Sequence, residues 1–396
     1  MRITGIELIP ITIRFRKTIG ESFGEVGKRE DDVIVQLFTD EGITGLGEAM
    51  TLGPFYSGES QGTVMAIISE VIAPKILLGE DPFNIDKIHF EMDRLVTGNS
   101  IAKAAMDFAL HDIAARKLGI PIYQLLGGRY TDRIPLRWAV GISDLGGMVA
   151  EAERGVEAGY KCLKIKIGDD DTDLDFRRVE AVRKAVGPKI GITLDANQAY
   201  TPAEAIRIIR RLEPLDILSV EQPVPRHDIL GLAEVRKAVD TPIGACESAM
   251  TIYDVAQIIR HDAADFLNFK VSRSGGFYRG KQIVNMAHAA GIACVGSTQL
   301  GMGIELAANA HFAVSTSSLG RPPYTCHGYG SGLLKLANAT DTLGMDVDIV
   351  TQTPRIEGGY LFVPEGPGLG VELNPKAVEG YLTEGKAPIL IGSKEG

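Results

Sequence analysis

The sequence predicts an α/β protein, a (β/α)8-type barrel joined to an α+β N-terminal capping domain. Three observations carry this. Short apolar runs recur seven times between residues 136 and 298. Amphipathic stretches fill the gaps, which is the rhythm of βα units around a parallel sheet. Ahead of them, strand-like segments come first and helical ones follow, a different rhythm and so a different domain. The 396 residues suffice for more than one domain. The expected divisions are a capping domain over 1–125, a barrel over 126–350 and a segment over 351–396 that returns to the capping domain.

In order, Ile3–Ile9, Val33–Thr39 and Thr44–Ala49 read as strands, the last two joined by a turn at Asp40, Glu41 and Gly42. Arg14–Arg29 is polar, contains glycine and is too long for a tight turn, and Thr51–Ser60 sets two aromatics among glycines. Long loops in compact domains are often functional, so both are expected to close over a ligand. Ile101–Leu118 repeats apolar residues near the helical period and stops at Gly119, a helix-ending residue. The barrel strands are expected in Leu136–Gly141, Cys162–Gly168, Ile190–Asn197, Ile217–Pro223, Pro242–Ser248, Asp265–Val271 and Ile292–Thr298, with helices such as Asp173–Val186 and Thr201–Leu212 between them. An eighth strand is placed in Gly328–Leu333, less regularly patterned. The Gly- and Pro-rich tail begins near Arg355.

Composition narrows the classes. At 45% hydrophobic and 23% charged residues the chain is an ordinary globular one, not disordered, coiled-coil or collagenous. A net charge of −10 argues against nucleic acid or an anionic membrane as partner. No apolar run approaches the ~20 residues of a membrane span. The N-terminus reads as a strand without a signal-peptide pattern. Cys162, Cys246, Cys294 and Cys326 are scattered, which suits reduced thiols in a cytoplasmic protein.

The chemistry lies at the strand ends. In Cys162–Ile167, alternation puts Leu163, Ile165 and Ile167 on one face and Lys164 and Lys166 on the other. The apolar set suits the helices, so both lysines point into the barrel. Asp195, Glu221 and Glu247 end the next three strands, and Lys270 follows on the sixth; the steps from Lys166 are 29, 26, 26 and 23 residues. Each step is about one βα unit, so these side chains converge on the C-terminal rim, where such barrels keep their active sites. Singly, each has an ordinary explanation, such as a surface Lys-x-Lys or a helix-capping Asp. In phase with the strand repeat, they do not. Three carboxylates brought together repel one another, and a divalent cation relieves that. All-oxygen ligands point to Mg²⁺ or Mn²⁺ rather than zinc.

The segments KIK, LDAN, VEQP, CES and FKVSRSGG, together with GPFYSGES, the helix GNSIAKAAMDFALHDIAARKLG and the terminal PEGPGLGV, resemble the enolase superfamily, in particular its muconate lactonizing enzyme and mandelate racemase groups. The resemblance spans nearly the whole chain. It implies that Asp195, Glu221 and Glu247 hold Mg²⁺, that a substrate carboxylate binds the ion, and that Lys166 and Lys270 act as acid and base on opposite faces. It also implies that Lys164 stabilises an enediolate and that Asn197 orders the site. An α-proton beside a carboxylate is very weakly acidic, so its removal needs this concentration of positive charge. Positive neighbours are expected to lower the Lys166 pKa towards the working pH. Cys246 stands where the muconate group usually has Asp, Gly301 where it usually has Glu, and the Asp–His base pair of the racemase is missing.

The expected activity is therefore Mg²⁺-dependent proton abstraction α to a carboxylate, in a muconate-type cycloisomerase or a racemase or epimerase. The alternatives are an acid-sugar or hydroxy-acid dehydratase of the same superfamily and, from another class, a non-catalytic anion-binding or scaffold barrel. Tyr56 (or Phe55) and Thr298 are expected to line the substrate pocket. The partners expected are a small carboxylate substrate and further copies of the chain in a homo-oligomer.

Overall fold

The computed structural model describes residues 1–14, 19–26, 29–317, 319 and 347–394. Strand β1 (Ile3–Arg14) pairs antiparallel with β4 (Arg29–Thr39), which turns through Asp40–Ile43 into β5 (Thr44–Ala49). The segment between β1 and β4 is not wholly irregular: β2 (Ile19–Glu21) and β3 (Gly24–Val26) form a small hairpin. Its Gly20 carbonyl accepts from the Ile142 N–H, so the hairpin rests on the first strand–helix loop of the barrel.

The loop after β5 contains a single turn, α1 (Pro54–Ser57), and leads through the capping residue Ser60 into α2 (Gln61–Ile67). After α3 (Ile85–Leu95) comes α4 (Ser100–Leu118), ended by Gly119 at φ 68°. This helix is buried nearly all round, not on one stripe, because it is held between β5 and the barrel helix Gly276–Ala289. The approach to β5 is close enough to require glycine: a Cβ on Gly47 would lie 2.0 Å from the Ala105 carbonyl oxygen.

After α5 (Ile122–Leu125) and β6 (Arg133–Pro135), the barrel strands follow in the expected runs, each shorter than its run. They are β7 (Trp138–Val140), β8 (Cys162–Lys166), β9 (Gly191–Asp195), β10 (Ser219–Glu221), β11 (Ile243–Ala245), β12 (Phe266–Phe269) and β13 (Ala293–Gly296). They pair in parallel and in sequence order, β7 to β13. The helices between and after them are α6 (Leu145–Glu157), α7 (Thr172–Val186), α8 (Pro202–Leu212), α9 (Ile229–Ala238), α10 (Ile252–His261), α11 (Gly276–Ala289) and α12 (Gly303–Val314). The fold is a (β/α)8-type barrel with a capping domain. The eighth strand expected at 328–333 lies outside the described residues; beside β13, Leu319 makes a parallel bridge to Cys294.

Beyond the barrel, β14 (Ile356–Glu357) and β15 (Tyr360–Phe362) extend β6 into a small antiparallel sheet. After α13 (Pro375–Tyr381), β16 (Ile389–Gly392) pairs antiparallel with β1. No helix among the described residues is long and apolar enough to cross a membrane.

Candidate active site

Parallel pairing aligns the charged strand ends. Lys166 is in register with Asp195, and Asp195 with Glu221. Lys164 Nζ lies 2.7 Å from Asp195 Oδ2 and 2.9 Å from Glu221 Oε2. Lys166 Nζ lies 2.9 Å from the same Asp195 oxygen and donates to Asn197 Oδ1 at 2.7 Å. Both lysines therefore point into the barrel. Asn197 passes the contact on, its Nδ2 donating to Glu247 Oε1 at 3.0 Å. All three carboxylates are at most 3% exposed.

Unusual backbone holds these groups. Asn197, Gln198 and Gln222 have φ of 41°, 71° and 40°, the left-handed region that non-glycine residues rarely adopt. Such strain persists where the surroundings over-determine it. Gln222 shows how. It is wholly buried; its Oε1 accepts from the Cys246 and Ser248 N–H groups at 2.9 and 3.0 Å, and its Nε2 donates to Val224 O and Ser248 Oγ. The amide thus fixes the segment that carries Glu247. Sequence reasoning quoted Gln222 only as part of a motif; a glutamine beside a strand-end carboxylate gives no signal of this role.

Lys270 stands just past β12, four strands on from β8, and so faces Lys166 across the barrel mouth. Its Nζ donates to the Tyr56 hydroxyl at 2.5 Å, and Arg273 Nη1 donates to the same oxygen at 2.7 Å. Arg273, fully buried, also donates to the Cys246 carbonyl at 2.6 Å. Tyr56 and Thr298 line the same cavity as Lys164, Lys166 and Lys270, a space of about 30 Å³. Phe55 does not line it; 59% exposed, it packs on Phe23 of the β2–β3 turn. Glu21 does, and its Oε1 is 3.0 Å from Lys166 Nζ. Neither Glu21 nor Arg273 was singled out from the sequence.

The electrostatics differ across the cavity. Burial works against charge on Lys166, but Asp195 and Glu21 outweigh it and hold the ammonium above the ordinary lysine value. The expectation of a lowered pKa is thus not met with these neighbours, because carboxylates contact the ammonium more closely than positive groups do. Burial likewise opposes charge on Lys164, and Asp195 and Glu221 reverse it. Lys270 is lowered, first by burial and further by Arg273 and Lys164. Burial, with Asp195 beside it, raises Glu247. Burial also pushes the Cys246 thiol up to about 12, which leaves it a neutral small side chain.

The residues fit a divalent cation in donor chemistry. Glu247 Oε2 is buried without a hydrogen-bond partner among the described residues, an oxygen that costs free energy until something meets it. As they stand, no three His, Cys, Asp or Glu side chains among the described residues are gathered into a ready-made cage. The Lys164 ammonium bridges Asp195 and Glu221 instead, so a cation shared by those two requires Lys164 to yield.

Comparison with known proteins places this geometry. Residues 12–127 match the mandelate racemase / muconate lactonizing enzyme N-terminal domain, and residues 147–377 the enolase C-terminal domain-like family. The chain belongs to the mandelate racemase / muconate lactonizing enzyme family. It is 34% identical to muconate cycloisomerase 1 of Rhodococcus opacus over 88% of this chain and 90% of that one. It is 33% identical to the N-succinyl-L-Arg/Lys racemase of Bacillus cereus over 96% and 97%. Among solved structures, the dipeptide epimerase of Enterococcus faecalis complexed with Mg and L-Leu-L-Tyr superposes with a TM-score of 0.85 at 32% identity, covering 94% of this chain and all of that one. Like its relatives, this member of the enolase superfamily is an isomerase-type enzyme. Mg²⁺ is the metal that the family uses.

Proposed function

We propose that the chain abstracts and returns a proton α to a substrate carboxylate, with Lys166 and Lys270 on opposite faces of the α-carbon. The observation that carries this is the pair of lysines, four strands apart, lining one small cavity together with Asp195. Asp195, Glu221 and Glu247 would hold Mg²⁺, or Mn²⁺ in its place. When bound, the ion supplies a Lewis acid for the substrate carboxylate. Lys164 adds a fixed positive charge where negative charge develops. Lys270, already lowered by burial and by Arg273, is the readier base; Lys166 is the readier acid. One lysine takes the proton and the other donates its own ammonium proton, exchanged with solvent, to the opposite face, which inverts the centre. Asn197 keeps Lys166 and Glu247 in fixed relation. Gly301 and Cys246 set the chain apart from the usual muconate pattern, which favours a racemase or epimerase over a cycloisomerase.

Proton NMR in D₂O, with Mg²⁺ and a panel of α-substituted carboxylates, tests this. The expected result is metal-dependent loss of the α-proton signal by the wild type, abolished in Lys166→Ala or Lys270→Ala while the metal-induced rise in melting temperature persists. Exchange that survives in both lysine variants would sink the assignment.

A further inference from the structure

The cavity wall contributed by the capping domain carries a carboxylate that proton transfer does not call for. Glu21 ends β2 and reaches Lys166 Nζ at 3.0 Å, with its side chain only 12% exposed. Lys166 already has Asp195 and Asn197 as partners, so Glu21 is not needed to satisfy it.

The position defines what Glu21 can do for a ligand. A carbon whose proton Lys166 handles lies about 3–3.5 Å from Nζ. The substituents on that carbon therefore fall beside Glu21. Past Leu52, which lines both spaces, a second cavity of about 530 Å³ has Glu25, Glu30 and Asp31 in its wall against Arg29 and Lys386. Arg29 is itself paired with Asp31. A diacid would bring its second carboxylate towards these like charges, and an N-acylated amino acid would leave Glu21 facing a neutral amide.

We infer that the site selects a carboxylate whose α-carbon bears a cationic nitrogen, with Glu21 as the specificity-determining residue that pairs with that cation. This rests on the proton-transfer reading above and narrows its substrate class. A cationic substituent meets the Glu21 carboxylate beside Lys166 when it binds. It also acidifies the α-proton.

The experiment is α-proton exchange in D₂O on the Mg²⁺-loaded full chain. The probes are the N,N,N-trimethyl derivatives of alanine, leucine and phenylalanine and their N-succinyl counterparts, with cis,cis-muconate followed by its absorbance. The wild type is expected to exchange at least one trimethylated probe with kcat/KM about tenfold or more above its N-succinyl counterpart. Glu21→Gln is expected to lower that value about tenfold, mostly through KM, and to leave N-succinyl probes unchanged or faster. Preference for a N-succinyl probe or for muconate overturns the inference and leaves the proton-transfer reading standing. So does an equal fall in kcat for every probe in Glu21→Gln, since Glu21 would then only position Lys166. Exchange with no probe at all overturns both.

Discussion

Two clusters of buried charge lie in this molecule, and they are built on opposite plans. Beneath the capping domain, Asp107 of α4 is wholly buried and both its oxygens are engaged. His89 Nε2 meets Oδ1 at 2.7 Å, while the Phe277 N–H donates to Oδ2 at 2.5 Å and His111 Nδ1 lies 3.4 Å from it. The cluster joins α3 and α4 of the capping domain to the start of α11. At the barrel mouth, by contrast, Asp195, Glu221 and Glu247 are drawn together with Lys164 and Lys166, and Glu247 Oε2 has no hydrogen-bond partner among the described residues. A buried carboxylate with both oxygens engaged, as at Asp107, holds parts of a fold together. A buried charge left incomplete costs stability, and it persists where a ligand completes it.

The largest effect expected is catalytic. Lys166→Ala should lower turnover of an accepted substrate by about 10²–10⁴-fold, the usual contribution of a positioned acid or base, with little change in the melting temperature of the Mg²⁺-loaded protein. A large loss of stability instead would erase the contrast between the two clusters.

Asp107→Ala should do the reverse. Breaking a buried pair by removing one partner costs about 3–5 kcal/mol, so chemical denaturation should show a loss of that order. The kcat of the remaining folded enzyme should be close to wild type.

The incomplete cluster should respond to metal. A cation that binds the native chain and not the unfolded one stabilises it, so Mg²⁺ should raise the wild-type melting temperature, and a chelator should reverse this. Burial raises the Glu247 pKa, hence Glu247→Gln should relieve a cost in the chelated protein while abolishing most of the Mg²⁺-dependent rise. Differential scanning calorimetry with and without metal separates the two effects.

The last effect concerns another buried carboxylate. Glu48 accepts from the Met302 and Glu305 N–H groups, and burial together with Glu305 pushes its pKa up to about 8. A raised acid holds its proton more tightly folded than unfolded, so its contribution is full below the unfolded value of 4.5 and is lost as pH rises through about 8. Thermal midpoints should fall over that window, and Glu48→Gln should flatten the decline. A wild-type midpoint that rises from pH 5 to 8, with no change of slope in Glu48→Gln, would contradict this.

Much of this was legible in the sequence. Each of the seven described barrel strands, β7 to β13, falls inside the run expected for it, because buried parallel strands are continuous apolar stretches bounded by turns. Lys164 and Lys166 point inward because strand alternation allows only two faces, and Leu163, Ile165 and Ile167 claim the other. The helix Ser100–Leu118 was visible, but its burial on all sides was not, since that depends on two layers brought against it from distant parts of the chain. The loop Arg14–Arg29 was recognised as a feature. Nothing in its local sequence set Glu21 apart from Glu25.

The sequence alone determined the rhythm of the barrel, the strand ends on which charge is concentrated, and hence the kind of chemistry available. Those follow from periodicity, which is a property of neighbours along the chain. Tertiary structure alone decided that Glu21 and Tyr56, both from the capping domain, reach Lys166 and Lys270, that Gln222 fixes the segment carrying Glu247, and that Arg273 is buried behind Tyr56. These contacts join residues as many as 217 positions apart. No local pattern encodes them, because each depends on where packing places two separately folded surfaces.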